Sequence, residues 1–246
     1  MSFSEFRSRH VICFLAGRDE FAALFRSLQS AIDSFAPEFE IDRQYSQDMP
    51  DDHMPRSFDV CWDRVHDEAW TEYDERAVLE HGGVIYVLGP HMRAEDAVDT
   101  SAIALRLVAH ALANGAVAAK GESAGVAHGV ERWTQLAIEA ENTAERGELT
   151  RICRLAFSKR PLSHEDFLFS IGFHLVGLPE VFVPRSHSDN ELVLSWLIDR
   201  IADEMSAEGV GPVLARHNAT LLPCDGYEED DFKFNPYGIV YLGDAA

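Results

Sequence analysis

The stretch Phe167-Leu168-Phe169-Ser170-Ile171-Gly172-Phe173-His174-Leu175 places Phe, Phe, Ile, Phe and Leu at alternate positions over nine residues. Period-two apolar spacing belongs to a β-strand with one buried face, because successive side chains point to opposite sides of a sheet. His174 then falls on the opposite face, directed at a groove or at solvent. With this strand in place the expected order is β-α-β-β-α-β-α-β-α and then β-β-α-β-β, which mixes hairpin-like neighbours with crossover helices and predicts an α+β fold rather than a doubly wound parallel sheet.

Downstream, Ser188-Asp-Asn-Glu191 reads as a capping box with Ser188 at the cap and Glu191 three residues on. It opens a helix carrying Leu194, Leu197, Ile198, Ile201 and Met205 on one face. Val213 to Leu222 and Ile239 to Leu242 are expected as closing strands, with Glu228 to Asp231 as a solvated acidic loop between them.

Upstream, Val11 to Leu15 and Val84 to Leu88 read as buried strands. Asp19 is positioned to cap a helix bearing Phe21, Leu24, Phe25, Leu28, Ile32 and Phe35, which Pro37 ends. Phe39 and Ile41 suggest a second strand, and Phe58, Val60 and Trp62 a third. His66 to His81 is polar and helical, stopped by Gly82-Gly83. Ile103, Leu107, Val108, Ala111 and Leu112 mark a strongly amphipathic helix. Ala116 to Ala119 is a small-residue strand, and Glu131 to Glu145 a helix with Trp133, Leu136 and Ala137 inward. The expected fold is α+β, with mixed or antiparallel sheets and helices packed on one face, in two ferredoxin-like sub-domains. A composition shift near Glu145 to Thr150 suggests units at 1–147 and 148–246.

The chain of 246 residues carries 42 acidic and 21 basic side chains, a formal net charge of -21, and is 46% apolar. It is long and apolar enough to bury a core without disulfide or metal. The charge excludes direct binding to nucleic acid phosphates and anionic membranes, since the most basic stretch, Arg151 to Arg160, holds only four cations. It suits a basic protein partner. No apolar run is long enough to span a bilayer. Cys13, Cys61, Cys153 and Cys224 form no CxxC pair and read as buried thiols of a reduced, cytoplasmic protein.

Gly121-Glu122-Ser123-Ala124-Gly125 matches G-x-S-x-G, the turn that lifts a nucleophilic serine between a strand and a helix. His81-Gly82-Gly83 resembles part of an oxyanion-hole signature. A serine hydrolase built on this chain uses Ser123 as nucleophile, Asp189 or Asp166 as acid, and His217 or His187 as base. The preceding strand, Ala-Val-Ala-Ala-Lys120, is charged where an elbow strand is strongly apolar. Lys120 and Ser123 stand in the reverse of the S-x-x-K order. His128 and Glu131 sit three apart, but two ligands do not make a metal site, and no metal or cofactor is expected. Glu122, Ser123, His128, Arg132 and Trp133 fall within a dozen residues and mark the best place for a ligand pocket.

Two segments carry a family likeness. One comprises Gly83-Val-Ile-Tyr-Val-Leu-Gly, the apolar helix to Gly115, Glu122-Ser-Ala-Gly-Val-Ala-His128 and Arg132-Trp133; the other is Gly172-Phe-His174-Leu-Val-Gly177-Leu-Pro179. Together they resemble the bacterial family catalogued as domain of unknown function 4261, over roughly half the chain. The resemblance implies an α+β fold, places the Gly121-to-Gly125 loop after a small edge-like strand, and joins the Ser123/His128 loop and His174 in one site. It carries no assigned activity and a loose link to toxin-immunity neighbourhoods. The functional expectation is a binding module, immunity-like toward a basic partner, with the Ser123 hydrolase as the alternative.

Overall fold

The computed structural model describes residues 8–61, 69–223 and 235–243. Among these, eight α-helices and two five-stranded sheets form an α+β fold. The first sheet begins with β1 (Val11–Ala16), α1 (Phe21–Phe35), β2 (Glu40–Gln47), β3 (Gly83–Leu88), α4 (Ala94–Leu112) and β4 (Ala116–Gly121). Between β2 and β3 lie α2 (Met54–Asp59) and α3 (Glu72–Leu79). The strand order is β2-β3-β1-β4, every pair antiparallel, which is the split βαβ arrangement of ferredoxin-like folds. A short β5 (Val126–His128) extends it beside β4.

The central strand explains its own sequence. Ile12, Phe14 and Ala16 enter a core built with α1, α4, α5 (Val130–Asn142) and α6 (Arg146–Phe157). Cys13 and Leu15, on the other face, meet Met54, Phe58, Trp70 and Val78. Both faces are covered, so β1 reads as an unbroken apolar run although its neighbours are antiparallel. The long helices pack on one face, as expected, and α2 and α3 close the other.

The second sheet, ordered β6-β7-β8-β10-β9, is built differently. It comprises β6 (Lys159–Ser163), β7 (Phe167–Ile171), β8 (Glu180–Pro184), β9 (Ala219–Leu222) and β10 (Ile239–Leu242), with β8 and β10 parallel and the other pairs antiparallel. Two helices, α7 (Glu191–Glu208) and α8 (Val210–Arg216), separate β8 from β9, so this half lacks the ferredoxin-like order. Its core sets Leu168, Val181, Val183 and Val240 against Leu194, Ile198, Ile201 and Met205 of α7. Helix α6 serves both halves: Ile152, Ala156 and Phe157 join the first core and Cys153 the second. The 147/148 division falls in its first turn.

Local corrections follow from specific residues. Phe58 and Val60 are not in a strand; Pro55 seats in the first turn of α2, where its missing N–H costs nothing, and Trp62 lies outside the described residues. Asp19 does not cap α1; it takes a left-handed conformation (φ 61°) and Glu20 occupies the cap. The α7 cap is Asn190, whose side chain accepts from the Leu192 amide, while Ser188 serves the Asn190 amide. Val213 sits in α8, not in a strand. The Glu228 to Asp231 run and Cys224 lie outside the described residues.

The nine-residue alternation also ends early. Strand β7 stops at Ile171, and Phe173–Val176 forms a 3-10 turn with all four residues buried. Gly172 (φ 105°) and Gly177 (φ 75°) bracket it. A Cβ at Gly172 would lie 2.6 Å from the Ala124 Cβ, and one at Gly177 2.5 Å from the Ala94 carbonyl oxygen, so both conformation and space demand glycine. His174 is therefore inside the molecule, not on an open strand face.

Candidate functional site

The Glu122-to-Gly125 segment is a hairpin turn. Strand β4 leads into it and β5 returns antiparallel, pairing Gly121 with Val126 and Ala119 with His128. A nucleophile elbow leads from a strand into a helix; here a strand follows. The Ser123 hydroxyl is buried, accepts the Val11 amide at 2.9 Å and donates to the Arg9 carbonyl at 2.8 Å. With the Glu122 amide on the Val11 carbonyl at 2.8 Å, it prolongs the β1–β4 ladder beyond the end of β4.

The other members of a triad are engaged elsewhere. His217 meets Glu204 of α7 at 2.6 Å, and His187 donates to the Gly243 carbonyl at 2.7 Å. Asp189 and Asp166 are exposed. His81 donates from Nδ1 to the Val78 carbonyl and accepts the Asp51 amide at Nε2, which ties the end of α3 to the loop before α2. The structure brings neither His217 nor His187 to the Ser123 hydroxyl.

Glu122 points to the α2 side of the sheet. Its carboxylate lies 2.7 Å from the ammonium of Lys120, which is almost fully buried. Lys120 also donates to the Ser57 hydroxyl at 2.5 Å and stands 5.5 Å from the Phe58 ring centroid. Across the ladder, Cys13 is in register with both Lys120 and Tyr86. Burial, reinforced by Glu122, pushes the Cys13 thiol far above its usual range, and burial raises the Tyr86 phenol in turn. Sequence reading missed Ser57, Cys13 and Tyr86; the signal was a lysine directly after the apolar run Ala116 to Ala119.

On the opposite side, Trp133 donates from Nε1 to the Ala119 carbonyl at 3.1 Å, and the ring of His128 stands edge-on to it at 4.7 Å. His128 Nε2 donates to the Ala156 carbonyl at 3.0 Å. Arg132 is half-buried and bonds Gln135 of its own helix, while Glu131 faces solvent. Trp133 pins α5, and His128 pins α6, to the sheet.

The Ala124–Gly172 contact joins this turn to the one holding His174. There Glu180 is the organising group. Its buried carboxylate accepts the Ser170 hydroxyl (2.6 Å), the Gly172 and Phe173 amides (2.9 and 3.0 Å) and the Asn235 side-chain amide (2.9 Å). His174 is fully buried, with Nδ1 3.6 Å from Glu180 Oε1, beyond hydrogen-bond reach. His10, equally buried, reaches the Ser101 hydroxyl at 2.7 Å, and Ser101 donates to the Leu175 carbonyl at 2.6 Å. Burial, with His174 adding to it, lowers the His10 pKa to about 3.

The expected ligand set thus divides three ways. Glu122 belongs to an internally neutralised pair, Ser123 to the β1 backbone, and His128, Trp133 and His174 to packing between elements. Among the described residues no group of three or more His, Cys, Asp or Glu side chains is placed to hold a metal ion, and no helix is long and apolar enough to cross a membrane. The chain matches no protein-family model, no curated protein and no solved structure.

Proposed function

We propose that this chain is a protein-binding module acting in the cytoplasm on a basic partner, in the manner of an immunity protein, and that it belongs with the family resembled by its Gly121-to-His128 and Gly172-to-Pro179 segments. The observation that carries this reading is where the charge lies. Buried cations are neutralised internally: Lys120 by Glu122, and Arg154 by Asp199 at 2.5 Å and Asp203 at 2.7 Å. Among the described residues, exposed carboxylates heavily outnumber exposed arginines, so the described surface is acidic, in a chain of net charge -21. Such a field steers a cationic protein and repels polyanions. The buried thiols of Cys13 and Cys153 suit a reducing compartment.

The geometry at Ser123 favours binding over hydrolysis, since the hydroxyl's proton and lone pair are already committed to backbone. Capture from an extract of the source cells tests the reading. The expected result is a basic protein held at low ionic strength and released at high ionic strength. Retention that ignores salt, or no retained protein, would count against it.

A further inference from the structure

We infer that the loop 48–53 and the outer side of α3 form the contact surface for that basic partner, with Met49 and Leu79 as its apolar anchors; this rests on the binding reading above. Helix α3 buries only Asp74 and Val78. Leu79 at its end is 68% exposed, Tyr73 in its first turn 66%, and Met49 in the loop 60%. The bond from the Asp51 amide to His81 Nε2 holds the loop against the end of the helix, and Met49 and Leu79 each lie two residues from that bond. Both elements are already fixed, the loop by His81 and the helix by the Thr71–Asp74 capping box and Val78, so the fold needs neither Met49 nor Leu79. Methionine and tyrosine are enriched where protein surfaces meet.

Unpaired charge selects the occupant. Asp48, Asp52, Glu72, Glu75 and Glu80 are exposed and form no ion pair with any described residue. The loop holds no Lys or Arg, and α3 holds only Arg76. His53 reaches Asp51, at 3.1 Å, and leaves the five carboxylates untouched. On α7, by contrast, the carboxylates are taken up by Arg154, Arg185, Arg200 and Arg216. A second copy meeting this surface about a two-fold axis would set carboxylate against carboxylate. The surface therefore fits a partner segment that presents Lys or Arg around apolar side chains, and gives these carboxylates the counter-charges that their own chain does not supply.

The test uses protein with methyl-labelled methionine and a synthetic amphipathic peptide with leucines on one face and lysines on the other. The chain has five methionines, and Met49→Leu assigns the reporter resonance. The expected result is a saturable shift of the Met49 methyl, with the buried Met92 and Met205 unmoved, binding weaker at high salt, and no response to a Leu/Glu peptide. Leu79→Ser should weaken the peptide by about tenfold without moving the thermal midpoint, since the side chain is outside the core. Reversing two charges here, Glu75→Lys with Glu80→Lys, should weaken it at least as much. The same reversal on the exposed side of α5, Glu131→Lys with Glu141→Lys, should leave it bound. If the peptide binds salt-sensitively while Met49 is silent, or both reversals weaken it equally, this surface is wrong and the acidic binding module stands. If the peptide does not bind, the surface proposal fails, and extract capture decides the module separately. Self-association abolished by Leu79→Ser would make the occupant a second copy and overturn the proposal.

Discussion

The Ser123 hydroxyl takes the Val11 amide proton across 2.9 Å and returns its own proton to the neighbouring Arg9 carbonyl. A side chain in this role acts as a piece of strand. Ser123→Ala should therefore destabilise the fold by about 1–2 kcal/mol, because a ladder amide and carbonyl lose their partner. Denaturant unfolding measures this. A fluorophosphonate probe should leave folded wild-type protein unlabelled; stoichiometric labelling at Ser123 would sink the structural role.

Glu180 holds the turn that carries His174. Glu180→Ala should cost about 3 kcal/mol, since the Gly172 and Phe173 amides and the Asn235 side chain lose their acceptor in a buried setting. Glu180→Gln, keeping one acceptor oxygen, should cost less. Equal midpoints for the two variants in urea would refute the account.

His10 predicts an acid-sensitive fold. Its pKa of about 3 in the folded protein lies below the unfolded value of 6.5, so the unfolded chain binds the proton more readily between those values. The stability from keeping the ring neutral is present above pH 6.5 and is lost as pH falls toward 3, by at most about 1.4 kcal/mol per pH unit. Unfolding midpoints measured across that range should show this slope in the wild type and a flatter one in His10→Gln.

The Lys120–Glu122 pair should be strongly coupled. Lys120→Met alone strands a carboxylate beside apolar residues and should cost about 3 kcal/mol. Adding Glu122→Gln should recover much of that loss. A double-mutant cycle in denaturant reads the coupling, and simple additivity would mean the two groups act independently.

The thiols should be inert while the protein is folded. Burial pushes Cys153 up to about 12 and Cys13 higher still, leaving almost no thiolate at neutral pH. Iodoacetamide followed by peptide mapping should modify both only after denaturation.

Much of the architecture was legible because single elements declare themselves. The apolar run of β1 and the stripe of α1 needed no partner to be recognised. Motifs failed where a local pattern had two physical readings. G-x-S-x-G fits an elbow or a hairpin turn, and only the strand after Gly125 separates them. The alternation from Phe167 fits one long strand or a short strand followed by a tight turn, and Gly172 decides it through a neighbour, Ala124, far away in sequence. The capping box at Thr71 and Asp74 was missed, although Asp74 also accepts the Val130 amide at the start of α5.

The position of β1 governs when the chain can fold during synthesis. Its partners are β3, where Val11 pairs with Leu88, and β4, where Ile12 pairs with Gly121. This strand leaves the ribosome before both partners and is held unpaired on one side until β4 has emerged, and Ser123 then fastens it. An apolar strand exposed for that interval is a natural target for a holding chaperone.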